Sequence, residues 1–170
     1  MAKIMLFGSS TISGVPQNVI DWLYQYVQQG HEFIVGDCKG ADAAFHKALS
    51  SVGGAERTTI YSMGKPRNNI YGIKERIFDT YYDESKKQAE VVLRGKAEGE
   101  VDDSFEPIII EGIEKDIDIQ GTRQWYELKD RQMIEDCNAA ICLWDGESKG
   151  TFHCIQLLGI RDKPCYTVKF

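Results

Sequence analysis

The sequence lacks the features that would place it at once in a large functional class. It has no run of about 18 consecutive apolar residues, which a transmembrane helix needs, and its first seven residues do not form a secretory signal. The dinucleotide pattern GxGxxG and the P-loop pattern GxxxxGK[ST] are both missing. The 5 cysteines contain no CxxC pair, and the 3 histidines have no metal-ligand spacing. We therefore expect a cytoplasmic protein with reduced thiols, no metal and no cofactor.

Positive charge is also scarce. The chain has 20 Lys and Arg against 26 Asp and Glu, a formal net charge of -6 and a pI near 5.1. Surfaces that bind the nucleic-acid backbone are rich in positive charge, so the composition argues against nucleic acid as the partner. A length of 170 residues with 42% hydrophobic residues is enough for one sizeable core. A single domain spanning 1–170 is the expectation.

Strand-like and helix-like segments alternate through most of the chain. Short apolar runs predict strands at residues 3–7, 31–35, 57–61, 138–143 and 165–170. Helical spacing of apolar residues predicts helices at 16–29, 41–51, 123–137 and 152–158. Parallel neighbouring strands need a crossover, and the usual crossover is a helix. The pattern therefore predicts an α/β fold with a mostly parallel sheet and helices on both faces.

Residues 71–120 do not follow this alternation and are interpreted as an insertion. Residues 81–93 are predicted to form a charged helix, and the acidic stretch 97–104 is expected to be exposed. Residues 107–110 begin with proline and are predicted to form an edge strand. The insertion is thus expected to be α-rich or irregular.

Four glycine-containing loops follow predicted strands, at residues 8–13, 36–42, 64–69 and 145–151. Ligands of parallel α/β sheets bind beyond the carboxyl ends of the strands. Glycine permits close backbone approach, hydroxyls donate hydrogen bonds, and helix N-termini offer unpaired N–H groups, a combination that suits phosphate. The candidate ligand-binding residues are Gly8, Ser9, Ser10, Asp37, Lys39, Gly40, Asp42, Arg67, Asn68, Asp145, Ser148, Lys149, Gly150 and Thr151.

The same residue types also serve ordinary structural purposes. Gly8-Ser9-Ser10 can be a turn with a helix cap, and Asp42 can be the cap of the second helix. Arg67 and Asn68 can be solvated turn residues. Tyr61 and Trp144 can pack near a nucleobase or in the core. The sequence leaves these alternatives open.

Several segments, taken in order, resemble the SLOG superfamily, which includes the DNA-processing protein DprA, the LOG phosphoribohydrolases and nucleotide-sensing domains. They are GSS after the first strand, GDCKGADAAFHKAL after the second, KDRQMIEDCNAAICLWDG, SKGT, and the closing KPCYTV. The resemblance covers about 110 residues in three blocks and does not include 71–120. It implies a Rossmann-like sheet, a nucleotide or nucleotide derivative bound across the loops, and assembly into homo-oligomers.

Two departures from the LOG pattern bear on catalysis. Those enzymes have a glutamate three residues after the threonine that corresponds to Thr151, where this chain has Cys154. Asp130 stands at the second position of their basic pair, after Lys129. Cleavage of an N-glycosidic bond needs a carboxylate, for which the candidates are Asp37, Asp42, Asp130 and Asp145.

Three hypotheses follow from these residues: a nucleotide-binding protein, a nucleotide hydrolase that cleaves an N-glycosidic or phosphate bond, and an interaction module with a degenerate site. For the first, a Gly40→Val substitution is expected to abolish binding without unfolding the chain.

Overall fold

The computed structural model describes residues 1–64, 74–95, 107–112 and 123–170. Eight strands form one sheet: β1 Lys3–Gly8, β2 Glu32–Val35, β3 Thr58–Met63, β4 Lys74–Asp83, β5 Gln88–Gly95, β6 Ile108–Glu111, β7 Ala139–Trp144 and β8 Cys165–Lys169. The α-helices are α1 Gln17–Gln28, α2 Ala41–Ser51, α3 Arg123–Asp136 and α4 Lys149–Ile160. The strand order is β6-β5-β4-β3-β2-β1-β7-β8, with every pair parallel except β4 with β5 and β5 with β6. The predicted α/β fold with a mostly parallel sheet is confirmed.

Helices cover both faces of this sheet. Because successive side chains of a strand point to opposite faces, Ile4 and Leu6 pack with α1 and α2, whereas Met5 and Phe7 pack with α3 and α4. Strands that are buried on both faces are unbroken apolar runs, and this is why strands such as β1 and β7 could be recognised from the sequence.

The predicted helix at residues 81–93 is wrong, because this stretch lies in the antiparallel pair β4–β5. Ala89, Val91 and Leu93 are buried at every second position, the period of a strand. The turn between the strands is held by Asp83, whose Oδ1 accepts hydrogen bonds from the backbone N–H groups of Ser85 and Lys86. The described part of the insertion is therefore β-structured and not α-rich.

Other expectations for this region have different outcomes. The edge strand predicted at 107–110 is confirmed as β6, which ends the sheet within the described ranges. The acidic stretch 97–104 lies outside the described residues. All five cysteines are free thiols. No helix among the described residues is both long and apolar enough to cross a membrane.

The parallel strands determine where the loops lie. β1, β2, β3 and β7 run in the same direction, so the loops that follow them leave the sheet at one edge. Three of the four predicted loops, 8–13, 36–42 and 145–151, belong entirely to the described residues.

Candidate functional site

Ser9 joins the three described loops. Its N–H donates to the carbonyl of Leu143 at the end of β7 (2.9 Å), and its carbonyl accepts from the N–H of Ala41 at the start of α2 (3.1 Å). Its hydroxyl accepts from the N–H of Asp145 (3.1 Å) and lies 3.4 Å from the hydroxyl oxygen of Thr151 in α4. Ser9 is fully buried. It therefore holds the loops together and leaves the adjacent Ser10 at the surface.

Gly40 brings the loop after β2 against the loop after β1. Its φ of 83° lies in the left-handed region, which side chains other than glycine rarely adopt. A Cβ at this position would lie 2.4 Å from the backbone carbonyl of Ser10. The expectation that Gly40→Val spares the fold is therefore wrong, since the substitution would strain the backbone and force the two loops apart. That variant cannot separate binding from folding.

The N-terminus of α4 lies at the same edge. Ser148 is its N-cap residue and makes no side-chain capping bond to the helix, while Thr151 donates its hydroxyl hydrogen to the Ser148 hydroxyl (3.1 Å). Lys149 and Gly150 are exposed, and a Cβ on Gly150 would have no heavy atom within 4 Å. The first turn of α4 thus presents polarised N–H groups to solvent, an arrangement that suits an anion.

The N-terminus of α2 points at the same place. Its N-cap is Gly40, which has no side chain to cap the helix, and its first residue Ala41 contacts Ser9. Asp42 in the first turn accepts a hydrogen bond at Oδ2 from the N–H of Cys38 (3.0 Å) and stabilises the loop. Two helix N-termini therefore both contact Ser9, which brings their partial positive charges close to one another.

Asp145 is committed to the turn before α4. Its Oδ1 accepts from the N–H groups of Ser148 (2.7 Å) and Glu147 (2.8 Å), and its Oδ2 accepts from the hydroxyl of Thr11 (2.8 Å). These hydrogen bonds, that from Ser148 first, lower the pKa of Asp145 to about 2. A carboxylate this acidic with both oxygens engaged is a weak base, so its geometry favours a structural role.

A buried lysine underlies the loop after β2. Lys129 of α3 is only 5% exposed, and its Nζ lies 3.6 Å from the Cys38 sulfur and 3.9 Å from Oδ1 of Asp130. A Cβ on Gly36 would lie 2.5 Å from Oδ2 of Asp42 and 2.8 Å from the lysine Nζ. Gly36 is thus needed so that the carboxylate and the ammonium can both approach the backbone.

The ionisation of this cluster follows from burial and charge. Burial raises the pKa of Asp42, and the Lys129 ammonium and the Cys38 N–H only partly offset it. Burial alone would lower the pKa of Lys129, but the carboxylates of Asp130 and Asp42 raise it above its ordinary value. Lys129 is therefore a cation at neutral pH inside the protein.

In the sequence, Lys129 stood out only as the first member of the basic pair whose second position is Asp130. The available signal was its position four residues before Met133, on the buried face of the same helix. Its approach to Cys38 could not be read from the sequence, because 91 residues separate the two.

The remaining predicted residues divide by exposure. Asp37, Asp42 and Thr151 are buried beneath the loops, while Ser10, Lys39, Lys149 and Gly150 are exposed and Gly8 and Ser148 are intermediate. Arg67 and Asn68 lie outside the described residues.

Tyr61 is buried, and its hydroxyl donates to Asp136, so it belongs to the core. Trp144 is half-buried and stacks on Phe152, with ring centroids 5.5 Å apart.

Comparison with known proteins supports the fold. No family profile matches the sequence, and no curated protein is similar to it. A structure of DNA processing protein A from Helicobacter pylori, described for its unique mode of binding single-stranded DNA, matches with a TM-score of 0.55 and 15% identity. The match covers 98% of this chain. The chain has the fold of DNA processing protein A. The Rossmann-like arrangement of strands and helices that the sequence resemblance implied is thereby confirmed.

The likeness covers only part of the matched protein. The chain covers 64% of the length of the DNA processing protein A chain that it matches. At 15% identity the two proteins share an arrangement of strands and helices, and the likeness assigns no ligand to this chain.

Proposed function

We propose that the loops at 8–13, 36–42 and 145–151, called the phosphate rim below, bind the phosphate of a nucleotide or nucleotide-derived signalling ligand. The observation that carries the proposal is the contact of two helix N-termini with Ser9, where neither helix has a side-chain hydrogen bond from its N-cap residue. Unpaired N–H groups in a first helical turn and the positive ends of two helix dipoles favour a small anion at this position.

The proposed donors of the phosphate rim are exposed side chains and backbone N–H groups in the first turn of α4. The hydroxyl of Ser10 and the N–H groups of Gly150 and Thr151 would donate to phosphate oxygens, and the exposed Lys39 and Lys149 would add positive charge. Buried residues would position these donors, chiefly Ser9 through its bonds to all three loops. Arg67 and Asn68 stay predicted contacts of the sugar or phosphate.

Net charge favours a small ligand over a nucleic-acid strand. The H. pylori protein with the same fold is described as binding single-stranded DNA. The present chain carries a formal charge of -6, which opposes a polyphosphate backbone. A mononucleotide or dinucleotide carries few negative charges, and the donors of one phosphate rim are enough to bind them.

A thermal-shift panel tests the proposal. Nucleoside monophosphates, cyclic nucleotides, ADP-ribose, a free nucleoside and a short single-stranded DNA are each added to the protein. A ligand that binds the folded state at 100 times its Kd adds about 2.7 kcal/mol of stability, so a phosphate-bearing nucleotide should raise the Tm while its nucleoside does not. No shift with any phosphate ligand would favour the interaction module, and a shift with DNA alone would favour nucleic-acid binding.

Hydrolysis of the bound nucleotide is the second candidate function, and Asp130 favours it. Its side chain is 35% exposed, and burial raises its pKa although Lys129 lies 3.9 Å away. Asp42 and Asp145 are already engaged with backbone N–H groups. A partly open carboxyl group with a raised pKa suits acid–base chemistry at a glycosidic bond.

Asp130→Asn separates binding from turnover. If the chain is a hydrolase, this variant should lose product formation by about 100-fold or more while keeping its nucleotide-induced Tm shift. Mass spectrometry of nucleotides incubated with each protein measures the products. Intact nucleotides recovered from the unsubstituted protein would reject hydrolysis and leave binding as the function.

A further inference from the structure

We propose that two copies of this chain associate by antiparallel pairing of their β8 strands around a two-fold axis, so that the sheet of one copy continues into the other. β8 ends the sheet beside β7 within the part of the chain that the structure describes. No residue of β8 belongs to the phosphate rim.

The backbone of β8 uses one side only. The Pro164 carbonyl accepts from Ala140 (2.8 Å), and the Phe170 N–H donates to Trp144 (2.8 Å), so residues at even positions direct their backbone groups towards β7. Cys165, Thr167 and Lys169 consequently direct theirs away from the sheet. No partner for these outward groups exists within the part of the chain that the structure describes.

Antiparallel pairing centred on Thr167 satisfies these groups with a second copy. Thr167 then faces Thr167 of the second copy. Cys165 of each copy faces Lys169 of the other, which makes three hydrogen-bonded pairs in all. The intervening pair places Tyr166 opposite Val168, an aromatic side chain against a β-branched one, and no like charges face each other. The edge is therefore complementary to itself.

The side chains near the edge favour such contact. Edge strands are usually guarded by lysines, prolines or bulges. Lys169 is folded back over the sheet, because its Nζ lies 5.8 Å from the Trp144 ring centroid and its Cε would lie 2.7 Å from a Cβ on Gly146. Tyr166 and Phe170 are 54% and 56% exposed on the other face. Pairing would cover apolar surface that one copy leaves in water.

A proline substitution tests the pairing. Thr167→Pro removes an N–H donor at the centre of the proposed pairing. Because that N–H points away from β7, the substitution breaks no hydrogen bond to β7, and the strand β8 should persist. The unsubstituted chain should have the mass of a dimer by light scattering, and Thr167→Pro should raise the dimer dissociation constant at least about tenfold. Thr167→Val keeps the N–H and should behave like the unsubstituted chain. A monomeric chain, or a dimer that tolerates the proline, would overturn the proposal.

Cross-linking tests the register without relying on a destabilising change. Opposed residues of a hydrogen-bonded antiparallel pair have Cα atoms about 5.5 Å apart, within the range of a disulfide. Because the Cys165 sulfur lies 3.7 Å from the Thr167 hydroxyl, both variants carry Cys165→Ser to prevent an intrachain disulfide. Thr167→Cys should then give a covalent dimer under mild oxidation, whereas Gln156→Cys, exposed on α4, should not. Equal cross-linking of both variants, or none for Thr167→Cys, would reject pairing centred on Thr167.

Discussion

Replacing Lys129 with methionine is expected to lower the free energy of unfolding by about 3–5 kcal/mol, the cost of breaking a buried ion pair from one side. The substitution removes the ammonium that partly offsets the burial of Asp42, a carboxyl group that is only 7% exposed. Methionine keeps most of the length of the side chain, so the loss would come from charge and not from volume. Chemical denaturation followed by circular dichroism at neutral pH measures it.

Lys149→Met is the matched control, because Lys149 is exposed and its replacement should change stability by no more than about 0.5 kcal/mol. Equal losses for the two methionine variants would show that Lys129 has no special electrostatic role.

The cost of Lys129→Met should depend on pH. Burial raises the pKa of Asp42 in the folded chain above 3.8, so the folded state binds this proton more tightly than the unfolded state. Stability therefore falls as pH rises from about 4 through the folded-state pKa. Without the Lys129 ammonium the pKa of Asp42 in the folded chain rises further, so the loss of stability continues to higher pH. The difference between variant and unsubstituted chain should be smallest in acid, where Asp42 is protonated in both, and largest near neutral pH.

Gly150→Asp is expected to weaken nucleotide binding by at least about tenfold while leaving the chain as stable as before or more so. A Cβ at this position meets no heavy atom within 4 Å, and a carboxylate in the first turn of α4 interacts favourably with the helix dipole. The same carboxylate would repel a phosphate that uses the N–H groups of that turn. Isothermal titration and thermal denaturation together measure the two opposite effects.

Gly159→Ala provides the matched control on the same helix. Gly159 is likewise exposed and free of steric contact, so alanine should stabilise α4 by up to about 1 kcal/mol without changing affinity. If Gly150→Asp bound nucleotide as tightly as this control, the N-terminus of α4 would not be part of the ligand site.

Most parallel strands were predicted because strands buried on both faces, such as β1 and β7, are unbroken apolar runs bounded by loops. The strand β4, which pairs in parallel with β3, was not predicted. The β4–β5 pair was misread because polar and charged residues, such as Glu90 between Ala89 and Val91, interrupt its apolar positions. Charge at alternate positions is compatible with one exposed face of a strand, and the short apolar pattern does not by itself distinguish that from a helix.

The candidate site shows a similar division. Glycines and hydroxyls after strand ends pointed to the loops at 8–13, 36–42 and 145–151, since strand direction alone brings such loops to one edge. The buried Lys129 and the engaged carboxylate of Asp145 depend on contacts between distant segments, which spacing along the chain does not encode.

Backbone amide chemical shifts recorded during a nucleotide titration test the central claim most directly, since they report on each loop separately. A nucleotide that raises the Tm should shift the amide signals of Ser10, Gly40, Gly150 and Thr151 together, with one common Kd, and should leave the signal of Gly159 unchanged. Saturation with that nucleotide while these four signals stay in place, or shifts confined to another surface, would contradict it.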